Sequence, residues 1–294
     1  MSKAPKVVAA KKSNKNSGDT GYLKTFRILL LFGLLFVMFY TPFLRGLYFE
    51  SEQLFTEIVL LSIFILFWVH KWLNKDKAFI RTPIEYASLG LVLVYLLTTF
   101  TAVNQRLAAT EFLKYAMYFI VFIMLSDLVK SEKEKTYVFW TIAASAFGVC
   151  IIGIDSVAGG KIVNIFNTVF KALKINVSFF GLYVDGRIHS TIQYPNALAS
   201  YLMAVFFITL GLVLTSKKWW VKGIASSIGF VLLTTFIFTL SRGVYILLLL
   251  ALPLYLLLLP KGTKARGVYC LVTLLGITGP LAIVLSMVIN NESG

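Results

Sequence analysis

The chain has 294 residues, of which 58% are hydrophobic and only 14% charged, with a mean hydropathy of +0.82. Soluble domains carry about 25% charged residues, so this composition excludes an ordinary soluble protein and predicts an all-α polytopic membrane protein. The net charge is +15, but the cations are scattered between apolar stretches. Membrane topology explains that pattern better than nucleic-acid binding, so we predict no nucleic-acid partner.

The chain divides into a short polar tail and a long apolar domain. Residues 1–22 are rich in Lys, Ser, Asn and Gly, which predicts a disordered cytoplasmic tail, and residues 23–294 predict one transmembrane domain. Apolar runs near the length that crosses a bilayer predict about nine transmembrane helices. They are Phe26–Tyr40, Leu54–Val69, Tyr86–Phe100, Phe112–Leu128, Tyr137–Val157, Asn196–Leu214, Trp219–Leu240, Val244–Leu259 and Val268–Ile289.

The cations between these runs predict an orientation. Twenty Lys and Arg residues fall in alternate loops, beginning with the N-terminal tail, and only eight fall in the opposite loops. Cytoplasmic loops of membrane proteins carry the excess of Lys and Arg. We therefore expect a cytoplasmic N-terminus, with Arg187 and Arg242 on the outer side.

One long outer loop, residues 158–195, separates the fifth and sixth predicted helices. Apolar residues recur there at helical spacing, with Lys and Asn between them, which predicts an amphipathic helix lying in the outer interface. Its expected apolar positions are Ile162, Ile165, Phe166, Val169, Phe170 and Leu173. Gly181, Gly186 and Pro195 then turn the chain back toward the membrane.

Two arginines stand where apolar sequence begins or is interrupted. Arg187 precedes the sixth predicted helix, and Arg242 lies in the short break Ser241-Arg242-Gly243. Arginine in such positions is a functional candidate because its insertion into hydrocarbon is costly, and its donor fork suits phosphate. Alternatively, each arginine extends to the interface or pairs with a carboxylate such as Asp185 or Asp155.

Polar side chains beside Arg187 offer candidate ligand contacts. Gln193, Tyr194 and Asn196 could bind sugar hydroxyls, although Asn196 is also a natural cap for the helix that starts there. His189 could act as a base or be a bystander. Because no nucleotide, metal or catalytic-triad motif is present, we expect no cofactor and no metal.

The sequence resembles the O-antigen ligase and O-antigen polymerase superfamily. The similarity is carried by residues 187–199, Arg-Ile-His-Ser-Thr-Ile-Gln-Tyr-Pro-Asn-Ala-Leu-Ala, and by Leu240-Ser241-Arg242-Gly243, with Phe100-Thr101-Ala102-Val103-Asn104 as a weaker match. It extends from about Phe26 to the end of the chain. Members of this family are bacterial inner-membrane glycosyltransferases of the GT-C type.

The resemblance implies a function and a set of site residues. A glycan would pass from an undecaprenyl-diphosphate donor to a lipid, polysaccharide or protein acceptor on the outer face of the membrane. Arg187 and Arg242 would be the catalytic residues that bind the diphosphate, with Gln193, Tyr194, Asn196 and Ser241 binding substrate. The family's expected histidine base lies on a loop beyond the ninth helix, a position that His189 does not match. The resemblance therefore implies either that the chain is an N-terminal portion or that it lacks the base and is inactive alone.

Two other functions stay open at this stage. A transporter or flippase for a lipid-linked glycan is one, although the predicted spans carry few acidic residues and show no internal repeat. A non-catalytic membrane subunit is the other, but it explains neither arginine.

Overall fold

The computed structural model describes residues 21–76, 78–172 and 182–292, and this part of the chain is mostly helical. The described residues form ten α-helices. They are α1 (Gly21–Tyr40), α2 (Glu50–Leu73), α3 (Pro83–Thr101), α4 (Gln105–Leu128), α5 (Glu132–Val157), α6 (Lys161–Ala172), α7 (Pro195–Thr215), α8 (Trp219–Phe238), α9 (Arg242–Leu258) and α10 (Lys264–Glu292). The predicted tail at residues 1–22 lies outside the described residues except for its last two, which begin α1.

Seven of these helices are long and apolar enough to cross a membrane: α1, α2, α3, α4, α5, α7 and α8. The chain is therefore a multi-pass membrane protein. Helices α9 and α10 pass the same test only as a joined pair, bent by 119° at the break between them. The structure thus supports seven or eight spans among the described residues. A count of nine spans remains a prediction. Helix α9, which contains most of the eighth predicted run, has only 17 residues and is about 26 Å long against a hydrocarbon core of about 30 Å.

Alternating helix directions bring the loops together at two ends of the bundle. The first, here called the hairpin end, contains residues 41–49, 102–104, 158–172, 182–194 and 239–241. Contacts across the sequence join these segments. The Thr191 hydroxyl donates a hydrogen bond to the carbonyl of Pro42 at 2.8 Å, and Arg106 pairs with Glu50 at 2.8 Å.

The opposite end, here called the lysine end, contains residues 74–76, 78–82, 129–131, 216–218 and 259–263. Ion pairs hold its first-half loops together. The Lys71 ammonium lies 3.5 Å from Asp127 at the end of α4, and Arg27 pairs with Glu134 at the start of α5 at 2.8 Å. Most of the cations that predict a cytoplasmic side lie at this end.

The core that supports the hairpin end is formed mainly by α5, α7 and α8. Leu198, Leu202 and Val149 are fully or almost fully buried there. Gly153 of α5 permits a close approach, because a Cβ atom at this position would lie 2.8 Å from Ile188 Cγ2. The absence of a side chain at residue 153 therefore lets the segment after residue 186 pack directly against α5.

A two-stranded antiparallel hairpin, absent from the all-α prediction, carries Arg187. Strand β1 (Tyr183–Val184) pairs with β2 (Arg187–Ile188). Asp185 and Gly186 form the turn, both with positive φ, at 51° and 71°. Asp-Gly in a two-residue turn is a strong sequence signal for a hairpin of this kind, so the sequence did contain the information.

Helix α6 forms where the amphipathic helix was predicted. Val163 is buried against the protein, whereas Ile165, one of the predicted apolar positions, is 64% exposed. The other apolar positions whose side chains are described, Ile162, Phe166 and Val169, are 38–44% exposed; Leu173 lies outside the described residues. The protein therefore covers only a narrow stripe of α6, and its location in the membrane interface remains a prediction.

Candidate functional site

Arg187 is anchored to the end of α8 by its own side chain. Its Nε donates a hydrogen bond to the backbone carbonyl of Thr239 at 2.9 Å, and Nη2 donates to Asn196 Oδ1 at 3.4 Å. Thr239 is the C-cap residue of α8, where unpaired carbonyls make the helix end partially negative. A guanidinium has five donors, so these two bonds leave both Nη1 protons and one Nη2 proton for another acceptor.

The break between α8 and α9 brings a second arginine to the same place. Leu240 has a φ of 51°, in the left-handed region, and reverses the chain between the two helices. Ser241 is buried, and its hydroxyl donates to Asn196 Oδ1 at 2.8 Å. Arg242 is the first residue of α9 and its side chain is exposed.

Both arginines line one cavity of about 590 Å³ at the hairpin end, here called the arginine cavity. Its other lining residues are Asp185, Asn196, Leu240, Gly243 and Tyr245. The sequence-based hypothesis required the two guanidinium groups to share a cavity, and the structure brings both residues to one.

The arginine cavity is electropositive for two independent reasons. First, Asp185 is the one carboxylate among the residues that line the cavity. Residues 186–291 contain no Asp or Glu. In the part of the chain that the structure describes, neither Arg187 nor Arg242 forms an ion pair. In addition, α7 and α9 both begin beside the cavity, and the free N–H groups of helix N-termini favour anions.

Asn196 connects Arg187 to the break between α8 and α9. The alternative prediction, that Asn196 caps α7, is wrong. The cap position of α7 is Tyr194, which makes no side-chain capping bond, and Pro195 occupies the first turn. The Asn196 side chain instead accepts hydrogen bonds from Ser241 and Arg187. Ser241 is consequently held beneath the cavity, where its hydroxyl is already used.

The remaining candidates lie elsewhere. Tyr194 lines a different cavity of about 290 Å³, together with Gln53 and Glu57 of α2. Gln193 is among the lining residues of neither cavity and has a φ of 60°, which makes it part of the turn before α7. The His189 ring also lies within that turn, with Nδ1 3.4 Å from the Gln193 carbonyl.

Sequence reasoning missed two contributors to the site. The Thr239 carbonyl that fixes Arg187 belongs to the backbone, so no residue type marks it. Tyr245 lies one turn into α9, lines the cavity, and donates its hydroxyl proton to the Ile237 carbonyl. Tyr245 is three residues after Arg242, and this spacing on a helix could have predicted that the two side chains are neighbours.

Chemically, the arrangement suits a polyanion with several acceptor oxygens. Guanidinium forks bind phosphate oxygens bidentately, and each charge-assisted hydrogen bond contributes about 1.5–3 kcal/mol. Among the described residues, no group of three or more His, Cys, Asp and Glu side chains is placed to hold a metal ion. Among the lining residues of the arginine cavity, the cationic side chains are Arg187 and Arg242.

No protein-family model, curated protein or solved structure matches this chain. The resemblance to O-antigen ligases and polymerases therefore stays a prediction, and the function has to be argued from the site itself.

Proposed function

We propose that this protein is a membrane glycosyltransferase that takes a glycan from an undecaprenyl-diphosphate donor and passes it to a lipid, polysaccharide or protein acceptor. The single observation that supports this proposal best is the meeting of Arg187 and Arg242 in one cavity that has a single carboxylate. A diphosphate carries charge on two phosphoryl groups, and two guanidinium groups match it.

In the proposed reaction the arginines act on the leaving group. When the acceptor hydroxyl attacks the sugar carbon it gives up its proton to the surrounding water, the bond to the diphosphate oxygen breaks, and negative charge grows on that oxygen. Fixed donors aimed at developing charge lower the barrier, because they do not need to reorganise during the reaction. Arg187 is such a donor, since Thr239 and Asn196 already hold its side chain.

We further propose that the lysine end faces the cytoplasm and the hairpin end faces the outside of a bacterial cytoplasmic membrane. The excess of Lys and Arg in the loops of the lysine end supports this orientation. The donor's diphosphate would then lie at the outer leaflet, in the arginine cavity at the hairpin end.

Binding of the purified chain in detergent to undecaprenyl diphosphate tests the proposed donor site, with undecaprenol as the probe that lacks the charge. We expect the diphosphate to bind far more tightly than the alcohol. Arg187→Ala and Arg242→Ala should each weaken diphosphate binding about ten- to a hundredfold, the equivalent of one charge-assisted hydrogen bond. Lys218→Ala, an exposed cation at the lysine end, is the matched control.

Glycan transfer is tested in cells that lack the gene and accumulate the lipid-linked donor. The unchanged gene, expressed in its full genomic reading frame, should restore the surface glycan, whereas the two arginine variants should not. Normal glycosylation by either variant, at equal abundance in the membrane, would contradict the proposal.

One observation favours the alternative, transport of a lipid-linked glycan. Glu57 is buried within the span formed by α2 and lines the 290 Å³ cavity. Ionisable residues inside spans often belong to transport pathways. Proteoliposomes decide between the two: movement of a fluorescent lipid-linked glycan between leaflets without glycan transfer favours the transporter, and a flux lost in Glu57→Gln strengthens that conclusion.

A further inference from the structure

A second large cavity lies between α7, α8 and α10 at the lysine end, the opposite end of the bundle from the arginine cavity. Its volume is about 920 Å³. Two cations line it, Lys222 of α8 and Arg266 of α10. Within the described residues neither forms an ion pair, and the whole stretch from residue 186 to residue 291 offers no carboxylate.

The lining of this cavity changes from cationic to apolar along its helices. Beyond Lys222, α8 presents the hydroxyls of Ser226 and Ser227, then Phe230. The distance from Lys222 to Phe230 along the helix axis is about 12 Å at 1.5 Å per residue. Neither serine hydroxyl makes a hydrogen bond within the described residues, whereas Thr234 and Thr235, farther along the same helix, bond back to their own helix.

Helix α10 shows the same gradient on the facing wall. Arg266 lies in its first turn, Tyr269 follows, and the wall continues through Leu274 to Ile277. From Arg266 to Ile277 the axial distance is about 16 Å. Both walls therefore place a cation and free hydroxyls near the helix ends and apolar side chains deeper in the bundle.

We propose that this cavity binds an anionic phospholipid, with the phosphate between Lys222 and Arg266 and one acyl chain against Phe230 and Leu274. Basic pockets between transmembrane helices are the sites where anionic lipid headgroups bind. The serine hydroxyls can donate hydrogen bonds to headgroup oxygens. The apolar inner part of the cavity suits a lipid acyl chain, which a free phosphate ion lacks. The proposal does not depend on the proposed glycan transfer.

Native mass spectrometry of the purified full chain tests the site, with phosphatidylglycerol and phosphatidylcholine added to the same detergent. We expect phosphatidylglycerol to be retained at much lower concentration than phosphatidylcholine. Lys222→Gln combined with Arg266→Gln should reduce that preference about thirtyfold, since each cation near a headgroup contributes about 1 kcal/mol. Unfolding temperatures in phosphatidylcholine alone verify that the variant folds.

The matched control is Lys218→Gln combined with Lys261→Gln. It removes the same charge from the same end of the bundle, but both lysines are exposed and neither lines the cavity. An equal loss in this control would assign the preference to general surface charge and overturn the site.

Ser227→Phe tests the cavity without altering the charge. A ring at this position should block the path between the cationic mouth and the apolar depth, so phosphatidylglycerol retention should fall. Inorganic phosphate should not displace the bound lipid, because it lacks the chain. Displacement by phosphate, unchanged retention in the glutamine double variant, or a second copy of the protein instead of lipid would each overturn the proposal.

Discussion

The arginines in the two halves of the chain differ in whether they pair with a carboxylate. In the first half, Arg27, Arg45, Arg81 and Arg106 each pair with a carboxylate. In the second half, Arg187, Arg242 and Arg266 have no ion pair within the described residues. The first-half arginines are neutralised by internal carboxylates, including Arg45, which lines the 290 Å³ cavity, whereas the second-half arginines line cavities without an ion pair.

The acidic residues explain this difference. Helices α2 to α5 and the loops between them contain most of the Asp and Glu residues, and the segment after residue 185 contains almost none. At the lysine end, burial raises the pKa of Asp76, but the Ala78 N–H, Lys71 and Arg81 together hold it below its usual value. That carboxylate is thus committed to internal cations. Cations without such partners keep their charge available for an external anion.

The largest expected effect is on a paired arginine. Arg27 is almost fully buried against Glu134 and the Leu128 carbonyl. Removing one partner of a buried pair costs about 3–5 kcal/mol, and the low end of this range applies because the Lys130 and Ser131 N–H groups still donate to Glu134. Arg27→Met should therefore lower the free energy of unfolding by about that amount, measured by thermal or denaturant unfolding in detergent.

Arg106→Met is the control for Arg27→Met. The Arg106 and Glu50 side chains are 79% and 57% exposed, and such surface pairs contribute about 0–1 kcal/mol. Equal stabilities for the two variants would contradict a structural role for the buried pair.

A smaller effect follows if a second carboxylate is placed in the arginine cavity beside Asp185. Asn196→Asp keeps the shape of the side chain and places a charge beside Arg187 and the start of α7. We expect about tenfold weaker binding of undecaprenyl diphosphate, because an internal anion competes for the guanidinium. The unfolding temperature should stay equal or rise, since acids are favourable in the first turn of a helix.

Ser200→Asp is the control for this change. It adds the same charge one turn later on α7, where the Ser200 hydroxyl is exposed and outside the cavity lining. Unweakened binding in Asn196→Asp, or equal weakening in both variants, would argue against direct contact between the anion and Arg187.

The smallest expected effect is on stability at Arg242, where a substitution should change stability and anion binding in opposite directions. A cation on the first residue of a helix opposes the helix dipole, so Arg242→Gln should stabilise the fold by about 0.3–1 kcal/mol while binding falls. Arg106→Gln, at the second residue of α4, should give no such gain because its pair with Glu50 is lost. A loss of stability in Arg242→Gln would indicate a structural role for Arg242 instead.

Periodicity and apolar length predicted much of the fold. The predicted third run, Tyr86–Phe100, lies within α3, and the fifth, Tyr137–Val157, ends where α5 ends. The sequence did not predict the angle between α9 and α10, because the 119° bend depends on packing rather than on composition. For that reason the sequence predicts about nine spans, whereas the described residues support seven or eight.

The site was predicted in part. The interrupted apolar runs at Arg187 and Arg242 were visible in the sequence, but their shared cavity depends on contacts between residues far apart in the chain. The bond between Ser241 and Asn196 joins two helix starts, and no local pattern encodes it. Tyr194 was expected beside the arginines because it is close in sequence, yet the first turn of α7 directs it to the neighbouring cavity.

The hydrogen bond from Arg187 to the end of α8 also gives the two arginines different entropic costs of binding. A free arginine side chain loses about 2 kcal/mol of rotamer entropy when it is immobilised. For Arg187 much of that loss has already occurred during folding, whereas Arg242 is exposed and must be ordered by whatever it binds. Binding of an anion therefore costs less side-chain entropy at Arg187 than at Arg242, so an equal set of hydrogen bonds gives a larger net gain at Arg187.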